Sequence, residues 1–415
     1  MNASPSANAF DLLVVGVKWP PETFIQRKLE GLAARGVRVK LAVVSPQGTI
    51  RHRLRGVEVL RISHESDPPI FSGARFIRDL LAFRLREHQR WPLVVPPFLP
   101  PHRAWKSAFG FLSVFVPLAR LHPDIVHFEW NVAAIDHLPL FDVWRCPVVI
   151  SCRGAQINVR AKLAARESSQ ARLRTSFERA AAIHCVSDEI MKAAQPHGLD
   201  PVKSWIIRPA VDPQMFKPAE AHDTNSGSVR LITTGSLIWR KGVEYALMAL
   251  RQLVVAGVNA RLDVIGEGTD RERILYTIHD LGLVDRVRLL GKKSPLEVVE
   301  LLQQSDIFIL ASLSEGISNA VLEAMACGLP VVTTECGGMR EAVTDGVEGF
   351  VVPVRDPAVM ARALTDLCRD AKLRRRAGAA ARARVLHEFT LDQQIDKWME
   401  LYRAVLSSRA GVARN

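Results

Sequence analysis

The chain has 415 residues, 48% of them hydrophobic and 24% charged. That is ordinary globular usage, and it excludes wholesale disorder, a coiled coil, a collagen and a disulfide-stapled mini-protein. Lys and Arg number 55 against 43 Asp and Glu, a formal charge of +12, and the excess lies in one half: residues 1–210 hold 29 basic and 17 acidic side chains, residues 211–415 hold 26 of each.

At roughly 100–200 residues per domain, two or three domains are expected. The first residues, MNASPSANAFDLLVVGV, lack a basic start and a long apolar core, so no secretory signal is expected there. Strands are then predicted at 12–17, 37–45, 124–128, 147–152, 182–187 and 205–208. These apolar runs are continuous rather than alternating (LLVVGV), which marks strands covered on both faces. A helix is predicted at 23–35. Residues 71–121 break the alternation: WPLVVPPFLPP, several Arg and exposed-looking aromatics predict an irregular or helical insertion. Its stretch 109–119 is the nearest approach to a membrane span and is too short to be one. A cytoplasmic protein is expected, either soluble or peripheral on the cytosolic face of the membrane. The basic half would attract acidic headgroups or a phosphorylated acceptor.

Residues 217–229, KPAEAHDTNSGSV, read as a linker where the charge balance changes. A second strand series follows at 229–235, 261–266, 287–291, 306–312, 330–334 and 349–353, with a helix at 357–369. The expected fold is α/β, with two doubly wound parallel-sheet (Rossmann-like) domains facing across a cleft, since ligands of such sheets bind beyond the carboxyl ends of the strands. The expected boundaries are 1–216, a linker 217–228, 229–390, and a C-terminal helix in 391–415 packing back toward the N-terminal domain. That helix places Trp398, Leu401, Tyr402 and Val405 on one face and needs a groove to cover it.

Three motifs of the second half carry chemistry. In TTGSLIWRKG a strand ends at Gly235, Ser236 follows, and Arg240 and Lys241 precede a helix, where two cations oppose the helix dipole and call for an anion. Taken alone, such a pair is usually a solvated face. IGEGTD places Gly266 after a strand, without the full dinucleotide fingerprint. In SLSEGISNAVLEAMACGLPVV, Glu315 and Gly316 occupy a turn, and Ser318 is the expected N-cap of a helix to about Cys327. Asn319 and Glu323 share a face of that helix. Its N-terminus suits a phosphate, and the two carboxylates suit sugar hydroxyls. The six cysteines (Cys146, Cys152, Cys185, Cys327, Cys336, Cys368) form no Cys-x-x-Cys, and the twelve histidines no zinc spacing.

From GSLIWRKG through IGEG and GKKSPLEVVELLQQSDIFILASLSEGISNAVLEAMACGLPVV to the strand GFVVPV, residues 229–356 resemble the donor half of the retaining GT-B glycosyltransferases of family 4. WPPETFIQRKLEGLAARGVRVKLAVVS resembles the start of the exopolysaccharide transferases in that family. The resemblance implies a nucleoside-diphosphate sugar as donor and a glycan hydroxyl as acceptor, with retention. The acceptor would be polyprenyl- or lipid-linked, in exopolysaccharide or cell-envelope polysaccharide synthesis. It implies that Arg240 and Lys241 clamp the diphosphate and Glu323 holds the ribose. Glu315, Gly316, Ile317 and Ser318 would meet sugar and phosphate, the base would lie near Leu290, Gly291 and Lys292, and the loop from Gly16 through Glu22 to Thr23 would serve the acceptor side. The transferases that this chain resembles need no metal, so no metal and no cofactor is expected. Where the family often shows His-Gly-x-Asp, this chain has Arg153-Gly154-Ala155-Gln156. Arg153 would stabilise phosphate charge, and His127 is the candidate substitute for the missing His. The competing readings are a sugar-nucleotide epimerase of the same fold and a non-catalytic sugar-nucleotide-binding partner. Nucleic acid is not an expected partner, because no recognition motif accompanies the charge.

Overall fold

The computed structural model describes residues 9–45, 53–64, 69–87, 89–94, 105–160, 167–220 and 227–412. The chain divides into two compact units. The first holds Met1–Cys185, Met191–Ile207 and Ile395–Asn415; the second holds Val186–Ile190 and Arg208–Gln394.

The first unit is built on a parallel sheet of order β3-β2-β1-β4-β5-β6-β7. Its strands are β1 (Asp11–Val15), β2 (Arg38–Ser45), β3 (Val57–His64), β4 (Ile125–Phe128), β5 (Val148–Cys152), β6 (Ala182–Cys185) and β7 (Ser204–Ile206). β1, β4, β5 and β6 are buried along almost their whole length, as continuous apolar runs require. β3 is a strand that the apolar-run criterion misses. Its sequence VEVLRISH places Glu58 and Arg61 among apolar residues, because it lies at the sheet edge and pairs only with β2.

The insertion is helical at Pro69–Arg86, Trp91–Val94 and Trp105–Ala119. Its aromatics are not all at the surface: Phe83 and Phe115 are buried. The proline-rich stretch 95–104 lies outside the described residues, as do 221–226 of the expected linker.

The second unit repeats the plan with order β10-β9-β8-β11-β12-β13, all parallel. Its strands are β8 (Val229–Thr234), β9 (Ala260–Ile265), β10 (Val287–Gly291), β11 (Ile307–Leu310), β12 (Val331–Thr334) and β13 (Gly349–Val352). In each sheet the strand order reverses once, between β1 and β4 and between β8 and β11, which makes a crevice at the carboxyl ends there. Local signals fix several helices. Pro295–Gln303 starts with Pro at its first position and a reciprocal Ser294–Glu297 capping box. Pro357–Arg369 starts with Asp356 accepting from the Val359 N–H.

Residues 208–216, expected with the first domain, pack in the second unit. Val211 and Phe216 are part of its core, and Arg208 pairs with Asp188 and Glu341. The C-terminal helix is Leu391–Val412, and Trp398, Leu401, Tyr402 and Val405 are buried as one face. From Ile395 onward it belongs to the first unit.

Candidate functional site

In the second unit, three strand ends are locked together by backbone hydrogen bonds. The Gly235 N–H donates to the Ile265 carbonyl and the Gly266 N–H to the Gly291 carbonyl, each at 2.9 Å. A Cβ at Gly266 would lie 1.8 Å from the Gly235 carbonyl oxygen, so no side chain fits where β8 and β9 end. Gly235, Gly266 and Gly291 therefore share one floor. Ser236 and Lys292 are exposed beside it, and Leu290 packs on the core.

The β8 loop and the β11 loop then meet. Leu313 donates its N–H to the Arg240 carbonyl at 2.7 Å. The Lys241 Nζ lies 2.5 Å from Glu315 Oε1, which also accepts from the Ser312 hydroxyl at 2.8 Å. Glu315 is 12% exposed and Lys241 20%, so this ion pair is half-sheltered and open to a ligand. Below it, Thr334 Oγ1 donates to the Ser312 carbonyl at 2.5 Å. Cys336 is buried next to both charges, and burial pushes its thiol up to about 11, leaving it unreactive.

Gly337 closes over the Glu315 turn: a Cβ there would stand 2.0 Å from the Glu315 carbonyl oxygen, and the Gly338 N–H donates to the Gly316 carbonyl at 2.6 Å. Gly316, Ile317 and Ser318 are buried under that closure. Ser318 holds the N-cap position of helix Asn319–Ala326, as expected, although its hydroxyl makes no capping bond. Its N–H points at Met339 Sδ, 3.4 Å away. The first-turn N–H groups of this helix are thus not satisfied by their own cap residue. Asn319 Oδ1 is buried without a hydrogen-bond partner among the described residues. Glu323 is half-buried one turn on, beside the buried Cys327.

Sequence reasoning passed over Ser312, Thr334, Gly337 and Gly338. Each acts through a backbone or hydroxyl contact that has no signature in a single chain.

The first unit places its candidates differently. His127 is a correction: it is fully buried at the end of β4, with Nδ1 2.7 Å from the Tyr402 hydroxyl and Nε2 2.8 Å from Ser151 Oγ. Ser151 continues to His184 Nδ1 at 2.8 Å, and His184 Nε2 lies 2.9 Å from the Ile207 carbonyl. A carbonyl only accepts, so His184 carries its proton on Nε2. The chain of bonds then runs one way, from Tyr402 O–H through His127 and Ser151 to Ile207. Both imidazoles are neutral, and burial first, then nearby cations, pushes both well below the usual histidine range. With both ring nitrogens spent and no exposure, His127 is an interior structural residue, not a base facing a substrate.

Arg153, just after β5, is mostly buried but keeps some contact with solvent. It is 16% exposed. Its Nη2 donates to Glu129 Oε2 at 2.7 Å and its Nε to the Glu129 carbonyl at 3.3 Å. The guanidinium stands 4.7 Å from the Phe24 ring centroid and 5.5 Å from that of Trp130. Burial lowers it to about 10, with Glu22 opposing, so it stays a cation at neutral pH. Glu22 and Thr23 are exposed at the start of helix Thr23–Ala34, and Gly16 lies against Ala133. Among the described residues, no group of three or more His, Cys, Asp or Glu side chains is arranged to hold a metal ion.

The chain matches the family model described as Glycosyltransferase Family 4 over residues 21–215, and the one described as Glycosyl transferases group 1 over residues 217–384. It is 30% identical over 271 residues to the amylovoran biosynthesis glycosyltransferase AmsK of Erwinia amylovora, covering 64% of this chain and 66% of that one. It is 33% identical over 178 residues to the putative colanic acid biosynthesis glycosyltransferase WcaL of Salmonella typhimurium, 41% of this chain and 44% of that one. The chain spans under half the length of the first curated relatives it matches. Its fold is like that of sucrose-phosphate synthase from Thermosynechococcus elongatus, with a TM-score of 0.74 at 16% identity over 96% of this chain and 99% of that one. It is also like Anabaena Alr3699/HepE, solved in complex with UDP-glucose, with a TM-score of 0.69 at 16% identity over 94% and 99%. Two Rossmann-like parallel sheets make this the GT-B fold. With both halves matched in turn, the chain belongs to the group 1, family 4 glycosyltransferases.

Proposed function

We propose that the protein transfers a monosaccharide from a nucleoside-diphosphate sugar to a glycan hydroxyl, with retention of configuration, in exopolysaccharide or cell-envelope polysaccharide synthesis. The observation that carries this reading is the Lys241–Glu315 pair, formed across 74 residues at the ends of β8 and β11. A lysine already held beside a carboxylate is placed to turn onto a diphosphate, while the carboxylate accepts sugar hydroxyls. Arg240 and the first-turn N–H groups of helix Asn319–Ala326 add positive charge where the leaving diphosphate develops its own. Glu323 holds the ribose in this reading, and neither a metal nor a resident cofactor takes part. Relatives named for amylovoran and colanic acid synthesis support the polysaccharide assignment.

A lipid-linked acceptor is part of the proposal, with the protein cytoplasmic and peripheral on the membrane. The basic half supports it. So does an apolar cavity of about 200 Å³ in the first unit, lined by Val15, Val17, Ala42, Ile62, Val114 and Leu118 among others, with Lys18 at its wall. Among the described residues no helix is long and apolar enough to cross a membrane. Co-sedimentation with liposomes should rise with acidic lipid and fall with salt; no lipid dependence would point to a soluble acceptor.

The decisive test is a nucleotide-sugar binding screen followed by transfer assays on Lys241→Ala and Glu323→Ala. Both variants should remain folded; Lys241→Ala should lose roughly 100-fold or more in transfer, the scale of one well-placed charge-stabilising group, and Glu323→Ala should weaken nucleotide-sugar binding and transfer with it. Near-normal turnover in both removes the donor-site assignment. The anomeric configuration of the product, read by NMR, tests retention.

A further inference from the structure

We propose that Arg153, held by Glu129 and framed by Phe24 and Trp130, binds an oxyanion, either phosphate or carboxylate, carried by the acceptor. The word acceptor rests on the transferase reading; the anion site rests on the geometry of the first unit alone.

Phe24 opens the helix after β1, Trp130 follows β4 and Arg153 follows β5. All three therefore stand at the carboxyl ends of strands around the point where the sheet order reverses, where doubly wound sheets bind ligands. One carboxylate there serves two cations. Glu129 is fully buried; its Oε1 is in direct contact with the Lys28 ammonium and its Oε2 binds Arg153. Lys28 is itself buried, 3% exposed. Glu129 is thus fully engaged, and Lys28 spends its charge on it.

Arg153 is only partly spent. Its Nε and Nη2 face Glu129, and among the described residues Nη1 has no hydrogen-bond partner. With no partner, Nη1 belongs to the 16% of the side chain that solvent reaches. The two aromatic rings, edge to face at 6.3 Å, flank the guanidinium and limit its rotation. Glu129 fixes one side of the fork, and the free side is a planar donor set suited to phosphate or carboxylate. The other carboxylate that bears on Arg153 is Glu22, exposed to solvent and weakened by it. Two amide oxygens in the same segments, Asn131 Oδ1 and Gln156 Oε1, are buried with no hydrogen-bond partner among the described residues. Groups of that kind call for a donor. Glu129 and Lys28 are positioning residues in this arrangement: they set the guanidinium and do not touch the ligand.

The test is calorimetric titration of the full chain with inorganic phosphate, glucuronate and, as the neutral control, glucose. Saturating UDP is present throughout to fill the diphosphate site. At least one anion should bind and glucose should not bind at the same site. Arg153→Gln should weaken the anion roughly tenfold or more, and Arg153→Lys less, because charge survives without the fork. Glu129→Gln should also weaken it, with circular dichroism to check folding. Arg153→Gln decides the matter, since a partly exposed side chain is the safer one to replace. Phosphate alone binding assigns a phosphorylated acceptor; glucuronate alone assigns an acidic sugar. Neither anion binding at up to about 10 mM, or equal binding by Arg153→Gln, overturns the proposal. So does a loss in Arg153→Gln that falls on UDP and spares the anions, which would assign Arg153 to the leaving group. Absence of UDP binding to the wild-type chain counts against the transferase reading instead, and leaves the Arg153 comparison standing.

Discussion

At the scale of single residues, the second unit shows how little side-chain chemistry a site needs once backbones are close. Arg240, Lys241, Glu315 and Glu323 were singled out through the order and spacing of their motifs, since any one of these charges taken alone reads as a solvated face. Gly266 stands in no full dinucleotide fingerprint, yet it decides whether β8 and β9 can end together. Gly266→Ala puts a Cβ against the Gly235 carbonyl at a backbone angle of φ +142°, a strained position for any other residue. The variant should lose about 1–3 kcal/mol and most of its nucleotide affinity, measured by urea denaturation and by titration with UDP. Unchanged UDP affinity would show that this floor does not shape the donor pocket. In the first unit the residue scale misled: His127 at a strand end resembles a catalytic histidine until its two nitrogens are traced to Tyr402 and Ser151. The partner that settles it lies 275 residues away, beyond any local pattern.

At the scale of elements, strands and helices followed from period and punctuation wherever both faces were buried. The failure was β3, whose polar positions reflect an edge that only the assembled sheet defines. The C-terminal helix was legible as a helix with one apolar face expected to pack back toward the first domain, and the particular side chains it meets were not. Trp398 packs its ring 4.4 Å from His184 and 5.0 Å from His127, and the Lys28 ammonium stands 4.3 Å above it. This helix is thus part of the first unit's interior, not an appendage. Trp398→Ala should cost about 3–5 kcal/mol. It should lower the denaturation midpoint of the chain, and a loss under about 1 kcal/mol would mean the helix only lies on the surface. Tyr402 anchors the same helix by its hydroxyl, with burial pushing its own ionisation upward.

At the scale of the whole molecule, the buried histidine chain makes stability depend on pH. His127 and His184 are both depressed in the folded state relative to about 6.5 in the unfolded chain, by burial first. Between those values the unfolded chain binds protons that the folded chain does not. Their contribution is therefore complete above about pH 6.5 and is lost as the pH falls below it. Urea denaturation should show a clear drop from pH 7.5 to 5.5. His184→Gln should start less stable and fall less steeply; an equal fall in the variant would place the acid sensitivity elsewhere.

The sequence by itself determined the α/β class and the two-sheet plan, because both are written in local period and spacing, and it carried the family through the resemblance of its motifs. Only the tertiary structure decided that residues 208–216 belong to the second core, that Lys241 meets Glu315, that His127 is interior and that Arg153 is steadied by Glu129. Those outcomes depend on which distant segments share a strand end. A single chain records the residues at such a meeting but not the meeting itself, since hydrogen-bond partners and burial are properties of the packed whole.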